Sequence, residues 1–435
     1  MDLGLTAGPA FHSGPGTLTE TAGGVPRLST ASTQSVVLDD IRTPPTSGNF
    51  FATLLTAQPL PALAARVGAW FAALWGQPIR VGSNVIVARH SQVLELLARD
   101  LDFRIAPINA ARIQAVNGPF ILGMDRGDQL VRERAALYSA LAQIDLASIK
   151  AAVAEEAAAK IASANGEIDV VAGYARPIAA HTARRLFGIS GLDETSFMEV
   201  ARAVFAHTFL NLADDKAIEK RALIAAGYMR AWFAEEIARR RASGDLGADL
   251  MGALLRGGVL DDDGVRRTLG GMLVGSIDTT ASCVAKIMWV IGRDPTLAQR
   301  MTDDLNDATR FAGWCWEALR LWPHNPLVLR KAAAATTLGD TDIRAGDRVI
   351  GWTQAAMRDA SAFPEPAALR PDRPEAAYLH FGGGLHPCAG RAVNGFQIPL
   401  LVGALLRRGI KSVKPMQWAG PFPDHLIVRF AAVTP

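Results

Sequence analysis

Cysteine is scarce. The chain has three, Cys283, Cys315 and Cys388, in 435 residues, with no CxxC pair and an odd total, which excludes a disulfide framework and a zinc ribbon. Charge of one sign is also missing in bulk: the formal net charge is only +3, and the basic residues are scattered arginines for the most part, with no long run. Nucleic acid is therefore not an expected partner. The N-terminus lacks a basic segment followed by an apolar one, so no secretory signal is read there. The most apolar early stretch, residues 50–75, carries Pro59, Pro61 and Arg66, which argues against a membrane-spanning helix. These absences predict a soluble, cytoplasmic protein without membrane attachment. What remains is an ordinary globular composition, 49% hydrophobic and 20% charged, in a chain long enough to enclose a deep internal cavity.

Residues 1–45 are rich in Gly, Ser, Thr and Pro with little apolar periodicity, and read as a flexible N-terminal arm. Residues 46–435 read as a single domain, mainly α with small β-sheets, since neither an internal repeat nor a linker appears after the arm. Ile79-Arg80-Val81 and Val85-Ile86-Val87 flank the turn Gly82-Ser83-Asn84 and predict two short strands. From about 128 to 322, Ala, Leu, Arg and Glu recur at helical spacing, broken by turn signals such as Gly188-Ile-Ser-Gly191 and Gly257-Gly258. Beyond Pro326 come short β-like pieces, 327–330 and 348–351, then a Pro-rich coil from Phe363 to Pro374. A helix should follow Cys388.

The most specific segment is Phe381-Gly382-Gly383-Gly384-Leu385-His386-Pro387-Cys388-Ala389-Gly390, followed by Arg391 and an apolar helical run. Three consecutive glycines let the backbone turn sharply and approach a flat ligand where a Cβ would collide. Cys388 falls at the start of the following helix, where backbone N–H groups and the dipole favour a thiolate. A thiolate so held is a good axial ligand for haem iron. Other readings stay open from this segment alone. One is a Gly-rich turn with a buried cysteine. Another is a metal site with His380 and His386, for which a fourth ligand is missing. A third is a nucleophilic cysteine beside His386.

The segment resembles the Phe-x-x-Gly-x-x-x-Cys-x-Gly signature of the cytochrome P450 haem-thiolate monooxygenases. Three further segments, in the family's order, extend the resemblance over residues from about 50 to 435. A helical pattern from Asp261 to about Ile291, some 45 Å at 1.5 Å per residue, carries Leu273-Val274-Gly275-Ser276-Ile277-Asp278-Thr279-Thr280 at its middle. Thr hydroxyls there can bond the carbonyl one turn back and open a notch. The patch resembles the family's long central helix over the haem, where an acid and an alcohol relay protons to the reacting oxygen. Asp278 and Thr279 fall on those catalytic positions, and Gly275 on the oxygen notch, while Ser276 departs from the usual second Gly. Glu317-Ala-Leu-Arg320 and Arg373 match the family's structural Glu-x-x-Arg and the arginine that joins it.

For the cofactor, the resemblance implies haem b (iron protoporphyrin IX), with Cys388 as iron ligand and Phe381, Gly382, Gly384 and Gly390 in the surrounding loop. Arg330 and His386 fall on propionate contacts. The third such contact is expected after Asp125, where Gln129 stands in place of the common His and Glu133 in place of the usual Arg. Gln129 and Arg132 are the residues carried forward, with Arg134 as a substitute. Asn394, Gly395 and Gln397 also depart from the family pattern.

The resemblance further implies activation of O2 and insertion of one oxygen atom into a small to medium apolar substrate, by hydroxylation or epoxidation. No dinucleotide motif lies in a strand–helix context, so electrons should come from a separate ferredoxin and its reductase. Arg391, Arg407, Arg408, Lys411 and Lys414, with Arg126, Arg132 and Arg134, are the candidate docking face. A monomer is expected. Candidate substrate walls are Phe103–Leu122, Phe205–Leu210, Leu273, Val274, Ile277, Leu327–Leu329 and Pro421-Phe422. The alternatives on the same scaffold are a peroxide-driven peroxygenase and a non-catalytic haem-thiolate ligand sensor.

Overall fold

The computed structural model describes residues 38–42 and 78–432. The expected arm and the apolar stretch 50–75 therefore lie outside the described residues, except for one helical turn at 38–41 whose Leu38 and Ile41 are buried in the main core. Among the described residues, one helical stretch long and apolar enough to cross a membrane, Asp262–Ile291, is instead largely buried inside the protein.

Helices dominate, and aspartate starts many of them. Asp145, Asp215, Asp249, Asp261 and Asp307 each accept a hydrogen bond from backbone N–H groups one turn into the helix that follows. Each such cap is worth about 1 kcal/mol. Gly188, Gly244 and Gly258 stop helices in the left-handed conformation, as the turn signals predict.

The β structure is small and peripheral. A five-stranded sheet has the order Ile79–Val81, Asn84–Val87, Arg348–Gly351, Val328–Ala332, Phe103–Arg104. The strands 84–87 and 348–351 run parallel, with Val85 opposite Val349. The turn at 82–83 joins the first two strands, as expected from the sequence. Val85, Val87, Phe103 and Val349 pack with Leu96, Leu338 and Phe363 into a minor core. The main core lies between helices.

The central helical stretch is not continuous. It consists of Asp262–Val274 and Asp278–Ile291, with the ladder interrupted at Gly275–Ile277. The interruption has a local cause: Ser276 Oγ donates to Met272 O at 2.6 Å, and Thr279 Oγ1 to Gly275 O at 2.6 Å. Thr280 Oγ1 is 3.0 Å from Ser276 O. Three consecutive back-bonds compete with the peptide ladder and loosen it. The single long helix expected over this span is therefore corrected to two segments meeting at the polar patch.

Behind it, the helix Ala308–Leu321 presents Glu317 and Arg320, both fully buried. Arg320 grips Glu317 with two bonds of 2.7 and 2.9 Å and donates its remaining N–H groups to the carbonyls of Met357, Pro366 and Ala368. Arg373 Nε (3.2 Å), Tyr378 OH (2.9 Å) and the backbone N–H of Arg370 (3.0 Å) complete the carboxylate's shell. This network ties the helix to the coil that leads into the cysteine loop.

Candidate active site

The cysteine loop is built on left-handed glycines. Gly382 and Gly384 have φ of +64° and +63°, a region costly for any residue with a Cβ. At Gly384 an added Cβ would also lie 1.8 Å from the carbonyl oxygen of Leu97. Phe381 opens the turn, its carbonyl accepting the Cys388 N–H at 2.8 Å, and its ring meets Trp316 edge-on at 5.7 Å. Gly390 precedes the helix Arg391–Arg407, and a Cβ there would stand 3.7 Å from Cys388 Sγ. Cys388 is exposed although its neighbours belong to the core. It therefore faces an internal space.

Across that space lies the second half of the central helix, packed on the cysteine helix and joined to it by Thr280 Oγ1 to Asn394 Oδ1 at 3.0 Å. Gly275 is exposed and Thr279 half-exposed in the midst of buried helix. A Cβ added at Gly275 would meet no atom within 4 Å. With its proton spent on the Gly275 carbonyl, the Thr279 hydroxyl presents lone pairs to its surroundings.

Asp278 does not share that surface. Its carboxylate is buried, and Oδ1 accepts from Arg202 Nε and Nη2 at 2.9 and 2.7 Å, with Arg176 Nε at 3.1 Å. Burial alone would raise its pKa, but the Arg176 and Arg202 charges and the Arg202 hydrogen bonds outweigh that and hold it below the usual carboxylate value. Adjacent residues on a helix point about 100° apart, so the buried carboxylate of Asp278 and the half-exposed hydroxyl of Thr279 meet different surroundings.

Near the loop, Arg330 is buried and donates from Nη1 to its own neighbour's carbonyl, Leu329 O, at 2.9 Å. Burial pushes its pKa down to about 10, opposed by the charge of Asp125. His386 is depressed to about 4, first by burial and then by the charges of Arg330 and Arg134. The positive charges of Arg330 and Arg134 thus act on His386, opposed by Asp100 and Asp125. Gln129 and Arg132 are exposed on the helix Asp128–Leu141. Gln129 is occupied by Glu133 at 2.9 Å, and Glu133 in turn is buried against Arg267. On this helix positions 130, 133 and 137 are buried, 134 is half-buried beside them, and 129 and 132 are exposed.

The metal-site reading fails among the described residues, which hold no cluster of three His, Cys, Asp or Glu side chains suited to a metal. His380 is turned away, its Nε2 donating to Trp316 O at 3.0 Å while its ring stacks on Tyr378. The Cys388 thiol also differs from expectation. Burial pushes it up despite the N–H groups of Gly390 and Arg391, so the helix start alone does not ionise it. Of the expected walls, Phe103, Leu273, Ile277 and Phe422 are packed core, whereas Leu122, Phe209 and Leu327–Leu329 are half-buried.

Sequence reasoning missed Arg176 and Arg202, for which no local signal exists, and Tyr378 at Glu317.

These residues fit an iron–porphyrin. The buried guanidinium of Arg330 lacks a carboxylate bonded to it, as a propionate site requires, and the accessible sulfur faces the interrupted helix. Comparison with known proteins agrees. The family model for Cytochrome P450 matches residues 233–409. Cyclooctat-9-en-7-ol 5-monooxygenase of Streptomyces melanosporofaciens is 27% identical over 329 residues, 66% of this chain and 72% of that one. Cytochrome P450 monooxygenase PikC of Streptomyces venezuelae is 30% identical over 258 residues, 58% of each chain. Mycinamicin IV hydroxylase/epoxidase of Micromonospora griseorubida is 26% identical over 59% of this chain and 63% of its own length. The chain thus spans well under two-thirds of the length of some of these relatives. The solved structure of CalO2 matches with a TM-score of 0.76 at 20% identity, covering 87% of this chain and 98% of that one.

The scaffold, mainly helical with small sheets, has the fold of solved cytochrome P450 structures. Residues 233–409 thus match the Cytochrome P450 family model, and the named relatives are monooxygenases.

Proposed function

We propose that this protein binds haem b through Cys388 and hydroxylates or epoxidises a small to medium apolar molecule, using O2 and electrons from a separate ferredoxin and reductase, as a cytoplasmic monomer. The observation that carries the reading is the placement of the Cys388 sulfur across from Gly275 and Thr279, with Arg330, Arg134 and His386 gathered near the loop. The haem, when bound, supplies redox activation of oxygen.

The chain's own residues bind, orient and manage protons. Arg330, Arg134 and His386 would hold the propionates, with Arg134 replacing Arg132 in that role. Phe381, Gly382, Gly384 and Gly390 would form the loop that holds the group beside Cys388. Thr279 Oγ1 accepts a hydrogen bond on the oxygen side while its own proton stays on the Gly275 carbonyl. Asp278 anchors the helix through Arg176 and Arg202, and serves proton transfer only when Arg202 releases it. Relatives named for cyclooctat-9-en-7-ol and mycinamicin IV support an organic substrate.

The direct test is a titration of the purified ferric protein with a panel of apolar compounds, read by visible spectrum. A low-spin to high-spin change with one compound class is the expected result. Absence of haem from protein expressed with an ample haem supply would overturn the reading. Thr279→Ala should lower product formation by about 100-fold while NAD(P)H consumption continues; intact coupling would sink the role of Thr279 and bring back the peroxygenase.

For the redox partner, the structure narrows the basic face. Arg391 pairs with Glu375, Arg126 with Asp100, and Arg408 folds onto Phe430 and the Ala431 carbonyl. Arg132 is exposed on the helix that also carries Arg134. Arg132→Glu should slow reduction by ferredoxin about tenfold at low ionic strength, with the difference shrinking as salt is added. Equal stopped-flow rates for the two proteins at low salt would exclude Arg132 from docking.

A further inference from the structure

The segment Trp322-Pro323-His324-Asn325-Pro326 joins the helix Ala308–Leu321 to the strand carrying Arg330. It is pinned at three carbonyls within four residues. Pro323 O accepts from Lys286 Nζ at 2.7 Å, Asn325 O from Thr353 Oγ1 at 3.1 Å, and Pro326 O from Gln354 N at 3.2 Å. Lys286 itself is buried on the central helix, two turns beyond Asp278. A loop held this way, with a proline on either side of Asn325 and His324, has little freedom to turn the imidazole elsewhere.

The ring of His324 lies among aromatic walls. Its centroid is 5.8 Å from that of Phe205, which is itself 5.1 Å from Phe209 and 5.8 Å from Phe422. In these apolar surroundings, Nδ1 is sealed off with no hydrogen-bond partner among the described residues. A buried polar atom left unpaired costs about 1–3 kcal/mol and calls for an explanation. The residue as a whole is half-exposed, and of the two ring nitrogens only Nδ1 is sealed off without a partner, which leaves Nε2 as the nitrogen free to meet a ligand. Burial and the nearby Lys286 charge, opposed by Asp278, press its pKa down to about 3, which keeps the ring neutral. It can then offer one donor and one acceptor.

We propose that His324 is a specificity-determining residue that hydrogen-bonds a hydroxyl group on an otherwise apolar substrate. The inference rests on the reading of the interior space as the substrate site. A hydroxyl is the group that suits the arrangement best, because it both donates and accepts and so satisfies Nε2 in either tautomer. A hydrocarbon in the same place would leave the imidazole edge dry and unpaired. Lys286 acts through the loop, as a positioning residue that fixes the height of the ring.

The test uses the haem-loaded protein and two probes of the same skeleton, the sesquiterpene alcohol cedrol and the hydrocarbon cedrane, with dissociation constants read from the spin-state change. The native protein should bind the alcohol about tenfold more tightly, as one neutral hydrogen bond allows. His324→Leu should abolish that preference with the haem spectrum unchanged, and His324→Gln, which keeps a donor and an acceptor, should retain most of it. Persistence of the preference in His324→Leu would overturn the assignment of His324 and leave the reading of the site intact. If neither probe perturbs the haem in the native protein, and the wider apolar panel is silent too, both the inference and the substrate-site reading fall.

Discussion

Glu317→Ala should leave the chain unable to hold its native fold at ordinary temperature. The carboxylate is fully buried and takes five bonds, from Arg320 (two), Arg373, Tyr378 and the Arg370 backbone. Deleting it strands two guanidiniums: Arg320, fully buried, and Arg373, whose side chain is only 5% exposed. Water cannot reach them to compensate, so the usual discount for screened surface pairs does not apply. Breaking a buried pair in this way costs about 3–5 kcal/mol, against a total stability of about 5–15 kcal/mol for ordinary proteins. The damage also spreads, because the same arginine fastens the carbonyls of Met357, Pro366 and Ala368. Losing it frees the coil that delivers the cysteine loop. Thermal unfolding and the haem content of the soluble fraction measure the effect. A melting temperature within a few degrees of the native protein's would show that the network is dispensable.

That network illustrates which parts of the architecture local sequence carries. Glu317 and Arg320 are three residues apart on one helix, and their apolar neighbours already suggest burial. Tyr378 enters from 61 residues away and Arg373 from 56. Only a recognised motif brought Arg373 in, and nothing brought in Tyr378. The cysteine loop was legible for the same local reason: left-handed glycines, the sulfur and the helix start lie within ten residues. The strands at 79–87 were likewise marked by alternation around a Gly turn.

The central helix shows the opposite limit. Periodicity reported an unbroken helix because the apolar pattern runs through the polar patch, while the interruption arises from three hydroxyls bonding back to carbonyls. Which way Asp278 points is decided by Arg202, 76 residues distant. Gln129 and Arg132 rest on motif alignment where the sequence departs from the family. There the helical phase, with Leu130, Glu133 and Leu137 buried, was the better guide, and it selects Arg134.

Cys388→Ser should separate chemistry from folding in a way that Glu317→Ala cannot. The main-chain bonds that shape the loop, Cys388 N to Phe381 O and Arg391 N to Cys388 O, do not involve the side chain. The sulfur itself faces the interior space instead of packing into the core, so removing it creates no cavity and strands no charge. The apo form of the variant should therefore melt within a few degrees of the native apo protein. Its chemistry should fail outright. A serine oxygen is a poorer, harder donor than a thiolate, and it cannot give iron the electron density that favours O–O cleavage. The thiol is pushed up by burial, so its ionisation depends on the bound metal, and a hydroxyl, still harder to deprotonate, would ligate more weakly. Turnover with ferredoxin and reductase should drop to the level of the control lacking the protein, and the haem spectrum should lose its thiolate character. If the variant retained both, Cys388 would not be the ligand. An unfolded apo variant would instead assign the sulfur a packing role that its exposure denies.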